Sequence, residues 1–261
     1  MGVLLIFVAM LNGCGGSGSG GTGIISSSGS LALSVDKTTA AAGTDSLTAT
    51  VTLTSLLSQP VNGVSVSVDI TSNGVLVASA SSNTNSNGVA VITLPVAMVE
   101  SDRTYYLQAR STGVTPSSSV AVTVKAPVLS TTIPVTTEGS VVTGSTLQFV
   151  LSNDTVSFKD GLGNPLQPTN ITFTLNSQTD SSGALLHNGT VLNATSNPSF
   201  IVTTDATGNA NTGLTALVAS GAADTKNIVT FYYTLSATYA GKLFTKQLST
   251  QFTVTATAPP E

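Results

Sequence analysis

The stretch that decides the fold reads VSFKDGLGNP over residues 156–165, then NITFTL over 170–175 and TDATGNA over 204–210. In it a turn containing proline precedes an alternating strand, and a turn of Asn, Asp and Gly follows that strand. The same order occurs earlier in the chain. The earlier copy reads VTLT over 51–54, QPV over 59–61, GVSVSV over 63–68 and NTNSNGVAVITL over 83–94. The sequence therefore predicts two related β modules in series.

The composition bounds the class of protein. Hydrophobic residues make up 41% of the 261 residues, which is enough to fill two cores, whereas charged residues make up only 8%. Typical soluble domains carry roughly a quarter charged residues. The net charge is −4, and eight Lys and Arg cannot form the dense basic stripe that phosphate binding requires. Nucleic acid is therefore not expected as a partner.

The pattern of apolar residues indicates strands throughout. Leu47, Ala49, Val51 and Leu53 alternate with threonines, and no window shows apolar residues at helical spacing over three turns. Val and Thr are abundant, and their stiff side chains suit a pleated surface. We expect an all-β fold, with one module over residues 31–125 and a second over 126–258. Each module has room for about seven short strands, the number that a β-sandwich needs.

The motifs VTLT, QPVNGVSVSV, NSNGVAVITL and VAVTV resemble those of the bacterial immunoglobulin-like domains of the invasin and intimin type. The resemblance covers most of residues 31–124 and is weaker in the second module. It implies two tandem immunoglobulin-like sandwiches and a role in cell-surface display or adhesion. In such proteins the binding activity often resides in a separate terminal domain. No such domain follows Glu261 in this sequence, so a structural or accessory role is expected.

The first thirty residues have the composition of an export signal and a tether. Val3 to Leu11 form an apolar run too short to span a bilayer, and the run ends just before Cys14, the only cysteine. This resembles the lipobox of bacterial lipoproteins. The resemblance implies a signal peptide over residues 1–13 and acylation of Cys14, although the segment before the run lacks Lys and Arg. A plain secretory signal or a misplaced start remains open.

Residues 14–30 are mostly Gly and Ser, which predicts a flexible tether. Such a tether would lift the modules off a membrane. Gly15 follows the cysteine where inner-membrane lipoproteins carry Asp, so the lipoprotein resemblance implies an outer-membrane or cell-surface location.

Candidate ligand contacts are few. His187 is the only histidine and is expected to be exposed in a loop insertion near residues 180–198. Each of the pairs Tyr105-Tyr106 and Tyr232-Tyr233 should place one ring inward and one outward. We take Tyr106, Tyr233 and His187 as possible ligand contacts.

No catalytic or metal-binding motif stands out. A single histidine without a nearby cysteine excludes the usual zinc ligand sets, and no G-x-S-x-G sequence is present. Asp160, Asp180 and Asp205 could gather at one end of the second module and bind calcium, but no calcium-loop motif contains them. We expect no enzyme activity, no cofactor and no catalytic residue.

Two functional hypotheses follow. In the first, the chain is a lipid-anchored, non-enzymatic protein of the cell envelope that serves as a spacer, adhesion arm or assembly component. Its partners would be the membrane, through Cys14, and a protein at the cell surface. In the alternative, the chain is a carbohydrate- or matrix-binding module that uses the 180–198 loop and the outward tyrosines.

Overall fold

The computed structural model describes residues 29–259 except residues 152 and 167. Within these residues it contains twenty strands and no helix, which confirms the expected all-β fold class. None of the described segments is a helix long and apolar enough to cross a membrane. Cys14 and the expected signal peptide lie outside the described residues. The strands are β1 Ser30–Val35, β2 Thr39–Ala41, β3 Ser46–Thr54, β4 Ser65–Ser72, β5 Val75–Asn83, β6 Val89–Pro95, β7 Arg103–Arg110, β8 Val120–Lys125, β9 Val128–Thr131, β10 Thr136–Val142, β11 Thr146–Leu151, β12 Thr155–Lys159, β13 Asn170–Gln178, β14 Gly183–His187, β15 Thr190–Leu192, β16 Ser199–Thr203, β17 Asn209–Asn211, β18 Leu214–Ala219, β19 Lys226–Tyr239 and β20 Lys242–Thr257.

The first eight strands form two sheets that pack face to face, the N-terminal sandwich. One sheet has the order β1-β3-β6 and the other the order β2-β8-β7-β4-β5. This is the strand order of an immunoglobulin-like sandwich, in which the chain crosses repeatedly between the sheets. The period-2 pattern of β3 aims Leu47, Ala49, Val51 and Leu53 into the core, where each is at most 4% exposed.

The remaining strands form the C-terminal sandwich on the same framework. Its five-stranded sheet has the order β10-β20-β19-β13-β16, which matches the larger sheet of the N-terminal sandwich strand for strand. The opposite layer is divided. A three-stranded sheet β17-β12-β9 and a four-stranded sheet β11-β18-β14-β15 together occupy the place that β1-β3-β6 fills in the first half.

In both sandwiches an early strand pairs in parallel with the last strand. In the N-terminal sandwich β2 pairs with β8, and in the C-terminal sandwich β10 pairs with β20. β2 has three residues whereas β10 has seven. The two ladders are otherwise built alike, so the second is an extended version of the first.

Glycine turns join several of the antiparallel neighbours. Asn73-Gly74 and Ala240-Gly241 connect β4 to β5 and β19 to β20, and all four residues have positive φ. In the sequence, Lys242-Leu243-Phe244 after Ala240-Gly241 predicts a hairpin at that turn, and the structure confirms it. The hairpin at Asn73-Gly74 was not predicted from the sequence.

The Asn87-Gly88 turn is not a hairpin, although its sequence is a strong hairpin signal. It carries the chain from β5 in one sheet to β6 in the other. The Gly88 carbonyl accepts a hydrogen bond from Leu53 N–H at 2.8 Å, and a Cβ on Gly88 would lie 2.5 Å from the Leu53 oxygen. The glycine is needed for this close approach as well as for its φ of 71°.

Candidate functional site

The expected 180–198 loop contains a hairpin. β14 and β15 pair antiparallel around Asn188-Gly189, whose φ values are 48° and 81°. β14 also pairs with β18, so the insertion extends a sheet of the C-terminal sandwich. The Asn-Gly pair is visible in the sequence, but the apolar stretch before it, Ala184 to Leu186, is too short to indicate a strand by itself.

His187 lies at the end of β14 and is half-buried. Its Nδ1 lies 2.8 Å from the Thr212 carbonyl oxygen and its Nε2 lies 3.1 Å from Asn188 Nδ2. A carbonyl can only accept, so Nδ1 carries the proton and Nε2 accepts from the amide. The ring also stacks on Phe200 at a centroid distance of 3.7 Å and an interplanar angle of 9°. Both nitrogens and one face of His187 are therefore engaged, and the expectation of an exposed loop histidine was wrong.

The stack continues into the core. Phe200 stacks on Phe173 at 4.9 Å, and Phe173 stacks on Tyr233 at 4.5 Å. Tyr233 is 2% exposed, and its hydroxyl lies 3.4 Å from Thr250 Oγ1. Burial raises the pKa of the Tyr233 hydroxyl, an effect that the Thr250 hydrogen bond partly offsets.

Tyr233 therefore cannot contact a ligand at the surface, and the prediction that it is a ligand contact was wrong. Its neighbour Tyr232 is the outward ring, 45% exposed. The alternation of the two rings was predicted properly, but the identity of the outward one was not.

Tyr106 lies on the outer face of the larger N-terminal sheet and is 47% exposed. It pairs with Thr71 on β4, which in turn pairs with Leu76 on β5, an exposed apolar side chain. Beside this row an ion pair joins Arg110 to Asp69 at 2.8 Å. Tyr106 is thus accessible, but it does not line the concave surface on the C-terminal sandwich.

A concave surface occurs on the C-terminal sandwich, at the start of β13 and the end of β19. It is a groove of about 510 Å³. Asn170 and Thr172 line one side, and Ser236 and Thr238 line the other. Sequence reasoning missed this site because the alternating Thr and Ser residues of two distant segments become neighbours only through the β13–β19 register. The remaining lining residues are Pro168, Thr169, Ala237, Tyr239 and Ala240.

The groove offers hydroxyls and amides without charge. None of its lining residues is ionisable except Tyr239, whose ring makes an edge contact with Phe158 at 6.2 Å. Asn170 is oriented by Thr203, whose hydroxyl donates to Asn170 Oδ1 at 2.7 Å. Such a lining suits a neutral polar ligand and provides neither a nucleophile with a base nor a metal ligand set.

The three aspartates considered for calcium each hold their own turn. Asp160 Oδ1 accepts from the N–H groups of Leu162 and Asn164, both at 2.9 Å. Asp205 Oδ1 accepts from Thr207 Oγ1 at 2.6 Å, and this bond is the main reason that the pKa of Asp205 is lowered. The pKa of Asp180 is likewise lowered, first by the N–H of Ser182. No group of three metal-ligating side chains occurs among the described residues.

Comparison with known proteins gives structural similarities only. No family model and no curated protein matches the chain. Among solved structures, invasin, a bacterial integrin-binding protein, is 19% identical over 89% of this chain and 40% of its own, with a TM-score of 0.35. The adhesin InvE of Yersinia pseudotuberculosis is 19% identical over 84% of this chain and 58% of its own, with a TM-score of 0.32. Alpha-2-macroglobulin of E. coli is 12% identical over 88% of this chain, at a TM-score of 0.34.

The chain spans 17% of the alpha-2-macroglobulin chain, and less than two thirds of each of the other two. Invasin is thus among the structures that are similar to this chain.

Proposed function

We propose that the chain is a non-enzymatic, lipid-anchored protein of the cell surface whose two sandwiches form a stiff spacer. The short junction between the sandwiches is the main observation that supports the spacer role. Only Ala126 and Pro127 separate β8 from β9. Ala126 is buried in the N-terminal core and Leu129, three residues later, is buried in the C-terminal core.

Asp102 fixes the end of the N-terminal sandwich at this junction. Its Oδ1 accepts from Ala126 N–H at 3.0 Å, and its Oδ2 accepts from Lys125 Nζ at 2.7 Å. The Lys125 hydrogen bond is the main reason that the pKa of Asp102 is lowered, with the Ala126 N–H second. The carboxylate therefore ties the linker backbone to the turn before β7.

Contacts between the sandwiches restrict the junction further. Met98 packs against the cores of both sandwiches. Glu100 forms an ion pair with Lys242 of the C-terminal sandwich at 3.4 Å. Gly161 lies so close to Lys125 that an added Cβ would overlap the Lys125 backbone. A short linker with packing on both sides favours one relative orientation of the two sandwiches.

Nuclear spin relaxation tests the spacer role. In a stiff chain the amides of both sandwiches report one common tumbling time, and Asp102→Ala should separate the two values. Asp36→Ala is the matched control, because Asp36 also accepts a backbone N–H, from Thr48 at 2.7 Å, but within the N-terminal sandwich. Two independent tumbling times in the unmodified chain would rule out the spacer.

The lipid anchor is supported by the sequence around Cys14 and by the Gly- and Ser-rich segment that follows it. Metabolic labelling with an alkyne fatty acid should mark the unmodified chain and leave Cys14→Ala unmarked. Equal labelling of both would remove the anchor from the proposal. The spacer role would stand without it.

The groove at β13 and β19 favours a second candidate function, the binding of a neutral saccharide. Hydroxyl and amide side chains match the donors and acceptors of sugar hydroxyls, and an uncharged lining demands no counter-charge on the ligand. In this second candidate the site lies in the groove and not at the 180–198 hairpin.

A neutral glycan array tests this second candidate. Binding should be lost in Asn170→Ala and in Thr172→Tyr, which fills the groove, and retained in the controls Tyr106→Ala and Tyr232→Ala. If glycan binding is lost only in the tyrosine variants, the exposed rings and not the groove form the binding site. Absence of binding to every glycan would remove the candidate.

A further inference from the structure

We propose that the parallel pair β10–β20 bears tension along the chain and is the part of the C-terminal sandwich that yields last to stretching. The inference rests on the proposed spacer role for its biological use, since a spacer between a membrane and a partner is pulled from both ends. Its geometry stands independently of that role.

Two backbone hydrogen bonds define the ends of the ladder. At one end Gln251 N–H donates to the Val135 carbonyl at 2.8 Å, and at the other Thr143 N–H donates to the Thr257 carbonyl at 3.0 Å. In a parallel ladder only every second residue of a strand directs its N–H and C=O groups toward the partner strand. The β10 residues that bond β20 are therefore Thr137, Gly139 and Val141, whereas Glu138 and Ser140 direct their N–H groups away.

The direction of loading makes this ladder resist as a unit. Thr136 lies opposite Gln251, and Val142 lies opposite Thr257. Tension from the N-terminal side reaches β10 at its Thr136 end, and tension from the C-terminal side reaches β20 at its Thr257 end. The two points at which tension enters lie at opposite ends of the pair, so stretching slides the two strands past each other lengthwise. All bonds of the ladder are then strained together instead of one after another.

The partner strand is held firmly on its other side. β20 pairs with β19 from Lys242 to Thr255, so it is anchored along its length while β10 slides. The corresponding ladder in the N-terminal sandwich is shorter. It runs from Thr38, which accepts from Thr123 N–H, to Ala42, which donates to the Lys125 carbonyl. The extended ladder is therefore a property of the C-terminal sandwich.

Single-molecule stretching of the full chain in two directions tests the inference. One handle is attached at the C-terminus in both cases, with Cys14→Ser to leave one thiol. The other is attached through Val128→Cys, which loads the ladder lengthwise, or through Ser145→Cys, which opens it from the end near Thr257. Both positions are exposed. We expect a several-fold lower unfolding force in the second direction. Equal forces would overturn the inference.

A pair of proline variants tests the same ladder by removing single backbone N–H groups. Proline has no N–H, so Val141→Pro removes a donor to β20, whereas Ser140→Pro removes an N–H that faces away. In the Val128 geometry, Val141→Pro should lower the unfolding force and Ser140→Pro should leave it nearly unchanged. An equal loss in both, or in neither, would contradict the assignment of tension to this ladder.

The stretching result is separable from the spacer test. Spin relaxation reports the junction at Ala126 and Pro127, whereas stretching between Val128 and the C-terminus does not include that junction. A flexible junction with a strong ladder, or a stiff junction with a weak one, would each refute only one of the two proposals.

Discussion

The two sandwiches share a framework but fill it differently. In the larger sheet of each, Val68 on β4 pairs with Ala80 on β5, and at the matching place Phe173 on β13 pairs with Phe200 on β16. The large fully buried side chains of the C-terminal sandwich include four phenylalanines, whereas those of the N-terminal sandwich are aliphatic. Turns and alternation therefore set the backbone topology, while the size of the core side chains can differ between the two copies.

The largest expected effect is a difference between the two cores in the free energy of unfolding that is lost when a buried side chain is truncated. Phe173 is 1% exposed and stacks on two rings, so Phe173→Ala should cost about 3–5 kcal/mol of unfolding free energy. Val68→Ala removes fewer atoms and should cost about 1–2 kcal/mol, at ~0.8 kcal/mol per buried methylene. Denaturant unfolding of the two variants measures both values. A larger loss at Val68 would show that the cores do not differ in this way.

The next effect concerns two glycines at matching turns. Gly88 and Gly208 have φ values of 71° and 75°, and their carbonyls accept from Leu53 and Phe158 respectively. Alanine at either position meets a left-handed backbone that costs about 1–2 kcal/mol. A Cβ at Gly88 would lie 2.5 Å from a backbone oxygen, whereas at Gly208 the distance is 3.1 Å. Gly88→Ala should therefore be the more destabilising variant in thermal unfolding.

Gly74→Ala provides the control for these glycines. Gly74 has a φ of 77° and no atom within 4 Å of an added Cβ, so only the backbone cost applies. Its destabilisation should be the smallest of the three. If Gly74→Ala equalled Gly88→Ala, the close approach of the chain at the sheet-crossing turn would not matter.

A smaller effect is expected from two buried threonines. Thr84 Oγ1 donates to the Val61 carbonyl at 2.7 Å and accepts from Val64 N–H at 3.1 Å, and Thr204 Oγ1 accepts from Thr169 N–H at 2.9 Å. Replacement by Val keeps the shape and removes these bonds. Each variant should lose about 0.5–1.5 kcal/mol in chemical denaturation, which is the usual net contribution of a hydrogen bond. Unchanged stability in both would show that water replaces the hydroxyls.

The smallest effect is a pH dependence at the junction. The pKa of Asp102 is lowered in the folded chain. The stabilisation that its carboxylate gives the junction is therefore present above the unfolded pKa of about 3.9 and is lost as pH falls through the folded pKa. Asp45 behaves alike, since the Ala41 N–H and then Lys37 lower its pKa. The junction should loosen only below about pH 4. Asp102→Asn should abolish that loosening in relaxation measured across pH.

Much of the fold could be predicted from the sequence, because alternation and turn residues act locally. The all-β class and the hairpin at Ala240-Gly241 followed from these signals. The sheet that each strand joins is decided by contacts distant in sequence. Asn87-Gly88 has the residues of a hairpin, yet the bond between Gly88 and Leu53 directs the chain to the other sheet.

The candidate site was less predictable for the same reason. One part of it was within reach of the sequence, because the alternation of Phe231 and Leu235 with threonines already places Tyr233 on the buried face of β19. The packing of His187 on Phe200 joins two separate strands, and no local pattern indicates it.

A distance measurement between the two sandwiches tests directly whether they form a stiff spacer. Spin labels at Ser81→Cys on β5 and Thr245→Cys on β20, both exposed, report the relative orientation in a Cys14→Ser background. A stiff spacer gives one narrow distance distribution, which broadens in Asp102→Ala and stays narrow in Asp36→Ala. A broad distribution in the chain without either aspartate change would contradict a stiff spacer.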